Sequence, residues 1–99
     1  MEIKNLQKEA NDIVLAIDSK LGAEHDEKTT FIHLLEEFGE LARQHNNKSI
    51  RKIEQDKSNI EEELADTTIL LMRLANIYNI NIEDVLINKI AKLKDRHKL

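Results

Sequence analysis

Over the first 22 residues the apolar positions fall at Ile3, Leu6, Ala10, Ile13, Val14, Ile17 and Leu21, the three-and-four spacing of one helical face. Gly22 is the natural stop, because glycine takes the left-handed conformation that ends helices. The polar run AEHDEKTT predicts a connection, with Thr29 or Thr30 as the N-cap of a second helix. That helix carries Phe31, Ile32, Leu34, Leu35, Phe38, Leu41 and Ala42 on one broad stripe. RQHNNKSIRKIEQDKSN follows, polar throughout, and predicts a mobile connection holding at most a short helix around Ile50 to Ile53.

Ser58 and Glu61 have capping-box spacing and predict the start of a third helix running to about Tyr78. NIN breaks it, Asn81 caps a fourth helix with Glu83 and Asp84 in the first turn, and Val85, Leu86, Ile90 and Leu93 mark its inner face. The third helix is distinctive. Leu64, Ile69, Leu70, Leu71, Met72, Leu74 and Ile77 fall all around its axis at about 100° per residue. Such a helix is expected to be enclosed on nearly every side, which four helices alone hardly achieve. The expected architecture is therefore all-α: an up-and-down bundle of about four helices, completed by assembly as a homodimer or homotetramer.

Composition narrows the picture. No proline, two glycines and 3% aromatics favour helix throughout. Ninety-nine residues make one domain, with much surface for its core. A net charge of −4 argues against nucleic-acid or anionic-membrane binding, both of which call for a basic surface. No apolar run approaches the roughly 20 residues of a membrane span, and Glu2 and Lys4 stand where a signal peptide would be apolar, so a soluble, unprocessed chain is expected. Without cysteine there is no disulfide or thiolate site, which fits a reducing cytoplasm and leaves oxygen or imidazole as metal ligands.

Two acidic pairs lie against the apolar stripes: Glu37 with Glu40 in EEFGE, and Glu63 with Asp66 in EELAD. Spacing alone decides nothing, since 19 acids in 99 residues give roughly three or four such pairs by chance against ordinary charged content. Position decides more. Glu63 projects between Leu70 and Leu74, Asp66 beside Leu70 and Ile77, and Glu37 flanks Leu34 and Leu41, with Glu40 somewhat further round. Buried carboxylates close together demand a positive partner. Two partners answer: Arg73 in a structural ion-pair network, or a hard divalent cation held through oxygen, Mg²⁺ before Ca²⁺ or Mn²⁺. The histidines are less informative: His33 lies one turn before Glu37, where it could sit by the site, although an exposed position is expected, and His25, His45 and His97 fall in loop or tail contexts.

LLEEFGELAR, a gap of 22 residues between Glu40 and Glu63, EELADTTILLMRLA and NINIEDVLINKIAKLKDR together resemble the MazG-like nucleoside triphosphate pyrophosphohydrolases of the all-α NTP pyrophosphatase superfamily. The likeness spans 31–96 of a single 1–99 domain, and its hallmark is EExxE followed by ExxD. It implies Glu37, Glu40, Glu63 and Asp66 as Mg²⁺ ligands, Mn²⁺ being an alternative ion. It also implies Glu36 as a second-metal ligand or base, and Lys89 and Arg96 at the phosphates. The activity implied is cleavage of an NTP or dNTP between the α and β phosphates, with housecleaning of noncanonical or surplus dNTPs as a physiological role. The chain departs from some relatives at Leu70, Leu93 and His97, where an aromatic, an asparagine and a tyrosine serve base recognition, so substrate identity stays open. Two further readings stand beside this one. A phosphoribosyl-ATP pyrophosphatase shares the fold but usually has a lysine before the paired glutamates, where FIHLLEE has none. A non-enzymatic helical module would instead pair its acids with Arg73 and lysines.

Overall fold

The computed structural model describes residues 2–54 and 56–99; Met1, and Gln55 within the expected connection, lie outside the described residues. Four helices follow in order, α1 Ile3–Leu21, α2 Glu27–Ser49, α3 Lys57–Ile77 and α4 Ile82–His97, with no strand among the described residues.

The ends of α1 and α3 follow the sequence expectation. Gly22 closes α1 at φ 66°, and the Ala23 N–H donates to Asp18 O at 2.9 Å. At the end of α3, Asn79 takes φ 56°, so that Ile80 N–H reaches Ala75 O at 2.8 Å and Asn79 N–H reaches Asn76 O at 3.0 Å. This doubly bonded end satisfies carbonyls the helix cannot, and asparagine is the residue besides glycine that tolerates it. The Asn81 side chain then accepts from Glu83 N–H and Asp84 N–H, starting α4 as expected.

Both middle helix starts are corrected. Asp26, not Thr29 or Thr30, caps α2: its carboxylate accepts from Thr29 N–H while the Thr29 hydroxyl accepts from Asp26 N–H. Thr30 is instead fully buried, at 0% exposure. Asp56, not Ser58, caps α3, accepting from Ser58 N–H and Asn59 N–H. Glu61 then belongs to no capping box and lies 3.9 Å from Lys57. An upstream carboxylate wins each time because it accepts the free N–H groups and also complements the positive helix end.

The expected mobile stretch is corrected too, since α2 continues through His45, Asn46 and Asn47 to Ser49. No proline or glycine interrupts it, and asparagine costs a helix interior no more than about 0.7 kcal/mol relative to alanine. Ending the helix earlier would free several carbonyls at once. No short helix forms over Ile50 to Ile53, where Lys52 instead adopts φ 58°.

Packing makes an open row, not a closed bundle. The main packings are α2 on α3, α1 on α3 and α4 on α1. Gln7 bonds Asn76 and Arg73 bonds Asn11, while Tyr78 bonds Glu27, so α3 runs antiparallel to both neighbours. The well-buried apolar residues are few: Ala10, Val14, Leu34, Leu70 and Ala75. The packed edge of α1 is Gln7, Ala10, Val14 and Asp18, whereas Leu6, Ile13 and Ile17 of its apolar stripe stay exposed.

The expectation that α3 is enclosed nearly all round is not met within one chain, because Leu64 and Leu71 are 52% and 43% exposed. An open apolar groove of about 920 Å³ lies between α1 and α3, lined by Leu6, Ile13, Leu64, Ile69 and Met72 among others. α4 buries no residue. The accessible surface of 7629 Å² compares with about 5,800 Å² for a compact monomer of 11.5 kDa. The radius of gyration is 16.2 Å, against about 13 Å for a compact chain of 100 residues.

Gln7 is the polar joint of this row. Only 5% exposed, it donates to Asn76 Oδ1 and Ile80 O at 2.7 Å each and accepts from Ile82 N–H at 2.8 Å, tying α1 to the α3–α4 turn. Gln7→Ala is expected to lower unfolding free energy by about 2 kcal/mol or more, since buried partners lose their bonds. A urea midpoint unchanged in this variant would show that the joint does not hold.

Candidate metal centre

On α2 the residues Thr30, Leu34, Glu37 and Leu41 recur at four, three and four positions; on α3, Glu63, Thr67, Leu70 and Leu74 do the same. Thr30, Leu34, Thr67 and Leu70 are all buried. Each helix therefore carries one glutamate in line with its packed stripe, and the antiparallel pairing brings Glu37 to Glu63. Asp66, one turn on from Glu63, completes the group: one carboxylate oxygen from each of Glu37, Glu63 and Asp66 lies within 4.8 Å of the others.

The environment is unfavourable to bare charge. Glu37 and Glu63 are half-buried, and Glu63 Oε2 is shut off from solvent with no hydrogen-bond partner. The Glu63 carboxyl is held above its ordinary range, first by a shared hydrogen bond with Glu37, then by burial and by the Glu37 charge. A second charge at Glu63 is disfavoured here, and a cation would offset that penalty. An orphaned oxygen beside two further carboxylates and no thiol fits a hard divalent ion such as Mg²⁺.

The other expected site residues are not brought into this group. Glu40 is exposed, as is Glu36, and Lys89 and Arg96 are exposed on α4, which packs on α1. Asp66 is more exposed than its projection suggested, because it faces a cavity open to solvent. That cavity, about 340 Å³, is bounded by Val14, Ile17, His33, Glu37, Asp66 and Leu70 among others.

Arg73 does not pair with Asp66. Its guanidinium donates to His25 O at 2.9 and 3.2 Å and to Asn11 Oδ1 at 2.7 Å, so the ion-pair network anticipated for it is absent. The positive candidates beside the carboxylates are instead histidines, with His33 half-buried by the site rather than exposed. Asp18, 6% exposed, receives both the His25 backbone N–H at 2.8 Å and His25 Nδ1 at 2.8 Å. His25 Nε2 lies 2.8 Å from His33 Nδ1, and His33 Nε2 lies 3.3 Å from Glu37 Oε1. The two rings stack with centroids 5.1 Å apart. The His33–Glu37 spacing of four is visible in the sequence; nothing there marks Asp18 or His25.

Among known proteins, the family model of the MazG nucleotide pyrophosphohydrolase domain matches residues 25–99. That span holds α2, α3 and α4 and leaves out α1. No curated protein and no solved structure matches the chain.

The raised Glu63 carboxyl has a consequence for stability. A carboxyl whose folded pKa is raised favours folding fully below its ordinary value of 4.5 and loses that contribution as pH rises through the folded value. In chelator, Glu63→Gln is therefore expected to raise the melting temperature relative to wild type at pH 7 and to narrow the difference near pH 4. Parallel melting curves across that range would contradict the raised Glu63 carboxyl.

Proposed function

Taking as premise that this chain belongs to the MazG nucleotide pyrophosphohydrolase family, we propose that it hydrolyses an NTP or dNTP between the α and β phosphates in a Mg²⁺-dependent reaction. The products are a nucleoside monophosphate and pyrophosphate. The observation carrying this reading is the orphaned Glu63 Oε2 facing Glu37 and Asp66 inside the matched segment.

Glu37, Glu63 and Asp66 would hold the ion, Mg²⁺ or in its place Mn²⁺; Glu40, the fourth ligand implied by the resemblance, is exposed one turn beyond Glu37. When bound, that ion neutralises phosphate oxygens and the charge that develops as the anhydride breaks. The oxygen of the attacking water bonds to phosphorus as the bridging oxygen leaves with pyrophosphate; Glu36, the base implied by the resemblance, is exposed outside the carboxylate group. The cavity of about 340 Å³ beside Glu37 and Asp66 takes the nucleoside, a size within the usual range of ligand sites. Housecleaning of noncanonical or surplus dNTPs in the cytoplasm is the role this chemistry suits.

Assembly belongs to the same proposal. The surface in excess of a compact monomer, about 1,800 Å² per chain, is what an obligate interface buries. A second copy is the occupant that the apolar groove between α1 and α3 fits, since the exposed faces of α1, α3 and α4 are equally apolar and lack a partner in their own chain. Lys89 and Arg96 are remote from the carboxylates of their own chain, so they serve phosphate binding only if α4 comes from another protomer.

Incubation with Mg²⁺ and a panel of NTPs and dNTPs is expected to release pyrophosphate from at least one. Asp66→Asn is expected to lower the rate about 100-fold or more, the upper end for partners that merely orient a ligand. Release that persists in this variant, or none from any nucleotide, overturns the reading. Sedimentation is expected to give a dimer or tetramer for wild type and a smaller species for Ile13→Glu; a monomeric wild type removes the assembly.

A further inference from the structure

We infer that Asp18, His25 and His33 act as a chain of positioning residues that fixes the Glu37 carboxylate for the ion, making α1 part of the metal centre although the family match begins after it. The inference rests on the metal reading proposed above.

Hydrogen bonds run from the interior as far as His33, and a 3.3 Å contact joins His33 to Glu37. Asp18 stands on the packed edge of α1 and is 6% exposed, with both carboxylate oxygens engaged by His25. His25 sits in the turn between α1 and α2 and is fixed at three points. Asp18 takes its backbone N–H and Nδ1, Arg73 donates twice to its carbonyl, and its ring stacks on His33. A turn held from α1 and α3 together has little freedom to rotate the His25 ring.

His25 Nε2 then meets His33 Nδ1 at 2.8 Å, and His33 Nε2 lies 3.3 Å from Glu37 Oε1, an ion-pair distance. His33 itself is on α2, four residues before Glu37, so the contact spans one helical turn. Glu37 is thus braced on one side by imidazole and faces Glu63 and Asp66 on the other. A flexible glutamate that must present one oxygen to an ion loses less rotamer freedom on binding when a neighbour already holds it.

The alternative is that this chain only secures the α1–α2 turn. The two differ in how effects combine. If Asp18 acts through His33, removing both is no worse for metal binding than removing His33 alone; independent structural roles would add.

The test is Mn²⁺ titration followed by electron paramagnetic resonance, with no nucleotide present, on wild type, His33→Ala, His33→Gln, Asp18→Ala and the Asp18→Ala/His33→Ala double variant. Circular dichroism and metal-free melting check that each is folded. Wild type is expected to bind Mn²⁺, His33→Ala to bind about 10- to 100-fold more weakly, and His33→Gln, whose amide can still donate to Glu37, to recover most of the loss. Asp18→Ala is expected to weaken binding in the same sense, and the double variant to match His33→Ala. Should Asp18→Ala fail to fold, His25→Phe keeps the ring volume, removes both ring bonds and takes its place. Unaltered Mn²⁺ affinity in folded His33→Ala, or additive losses in the double variant, overturns the chain while the metal site stands. No Mn²⁺ binding by wild type overturns the metal site itself.

Discussion

Two glutamates lie in line with the apolar stripes of two helices that face each other, and most of the structure follows from that placement. The register that buries Leu34 and Leu70 is the register that brings Glu37 against Glu63. Sliding α2 one turn along α3 would part the carboxylates, but it would also expose the residues that hold the pair together. Packing therefore enforces a contact that electrostatics opposes. The local penalty is visible in the Glu63 carboxyl, held above its ordinary range, and in the oxygen that finds no partner.

The rest of the chain is arranged around that pair. Because α1 and α2 both lie along α3, the core is one layer thick and holds few fully buried apolar side chains. Polar joints do what a thicker core would do: Gln7 fastens the α3–α4 turn, and Arg73 fastens the α1–α2 turn. Such joints are directional, so they fix helix placement more sharply than apolar contact does. The apolar groove and the bare α4 are the counterpart, surfaces whose burial falls outside a single chain.

Helix number and order were legible in the sequence, because periodicity and breakers are local properties. Gly22, Asn79 and Asn81 act as their residue types require, whatever surrounds them. The starts of α2 and α3 were misplaced by choosing a hydroxyl where an aspartate lay just upstream. The continuation of α2 through Asn46 and Asn47 does not show in the hydropathy pattern, because polarity alone does not distinguish a solvated helix from a loop, and nothing in the segment breaks a helix. Glu37, Glu63 and Asp66 were legible because each sits beside an apolar stripe. Gln7 and Asp18 were not. Both lie on the packed edge of α1 beside Ala10 and Val14, and their roles depend on partners 69 and 7 residues away. A helical wheel carries no information about such partners, and for the same reason only Ala10 and Val14 of the expected α1 stripe are packed, while the more apolar Ile13 and Ile17 stay exposed.

The identity of the cations near the carboxylates is itself informative. Arg73 carries a permanent charge and stands on α3 within reach of the region, yet it is turned to the carbonyl of His25 and the amide of Asn11. A guanidinium on Glu37 would make a two-pronged, strongly held ion pair. Such a pair would satisfy the glutamate completely and compete with a divalent ion for the same oxygens. An imidazole at 3.3 Å from a single oxygen leaves the other free to face Glu63. The arrangement thus directs Glu37 without neutralising the group as a whole, which is the condition a carboxylate cluster must meet if the charge that completes it is to arrive from solution.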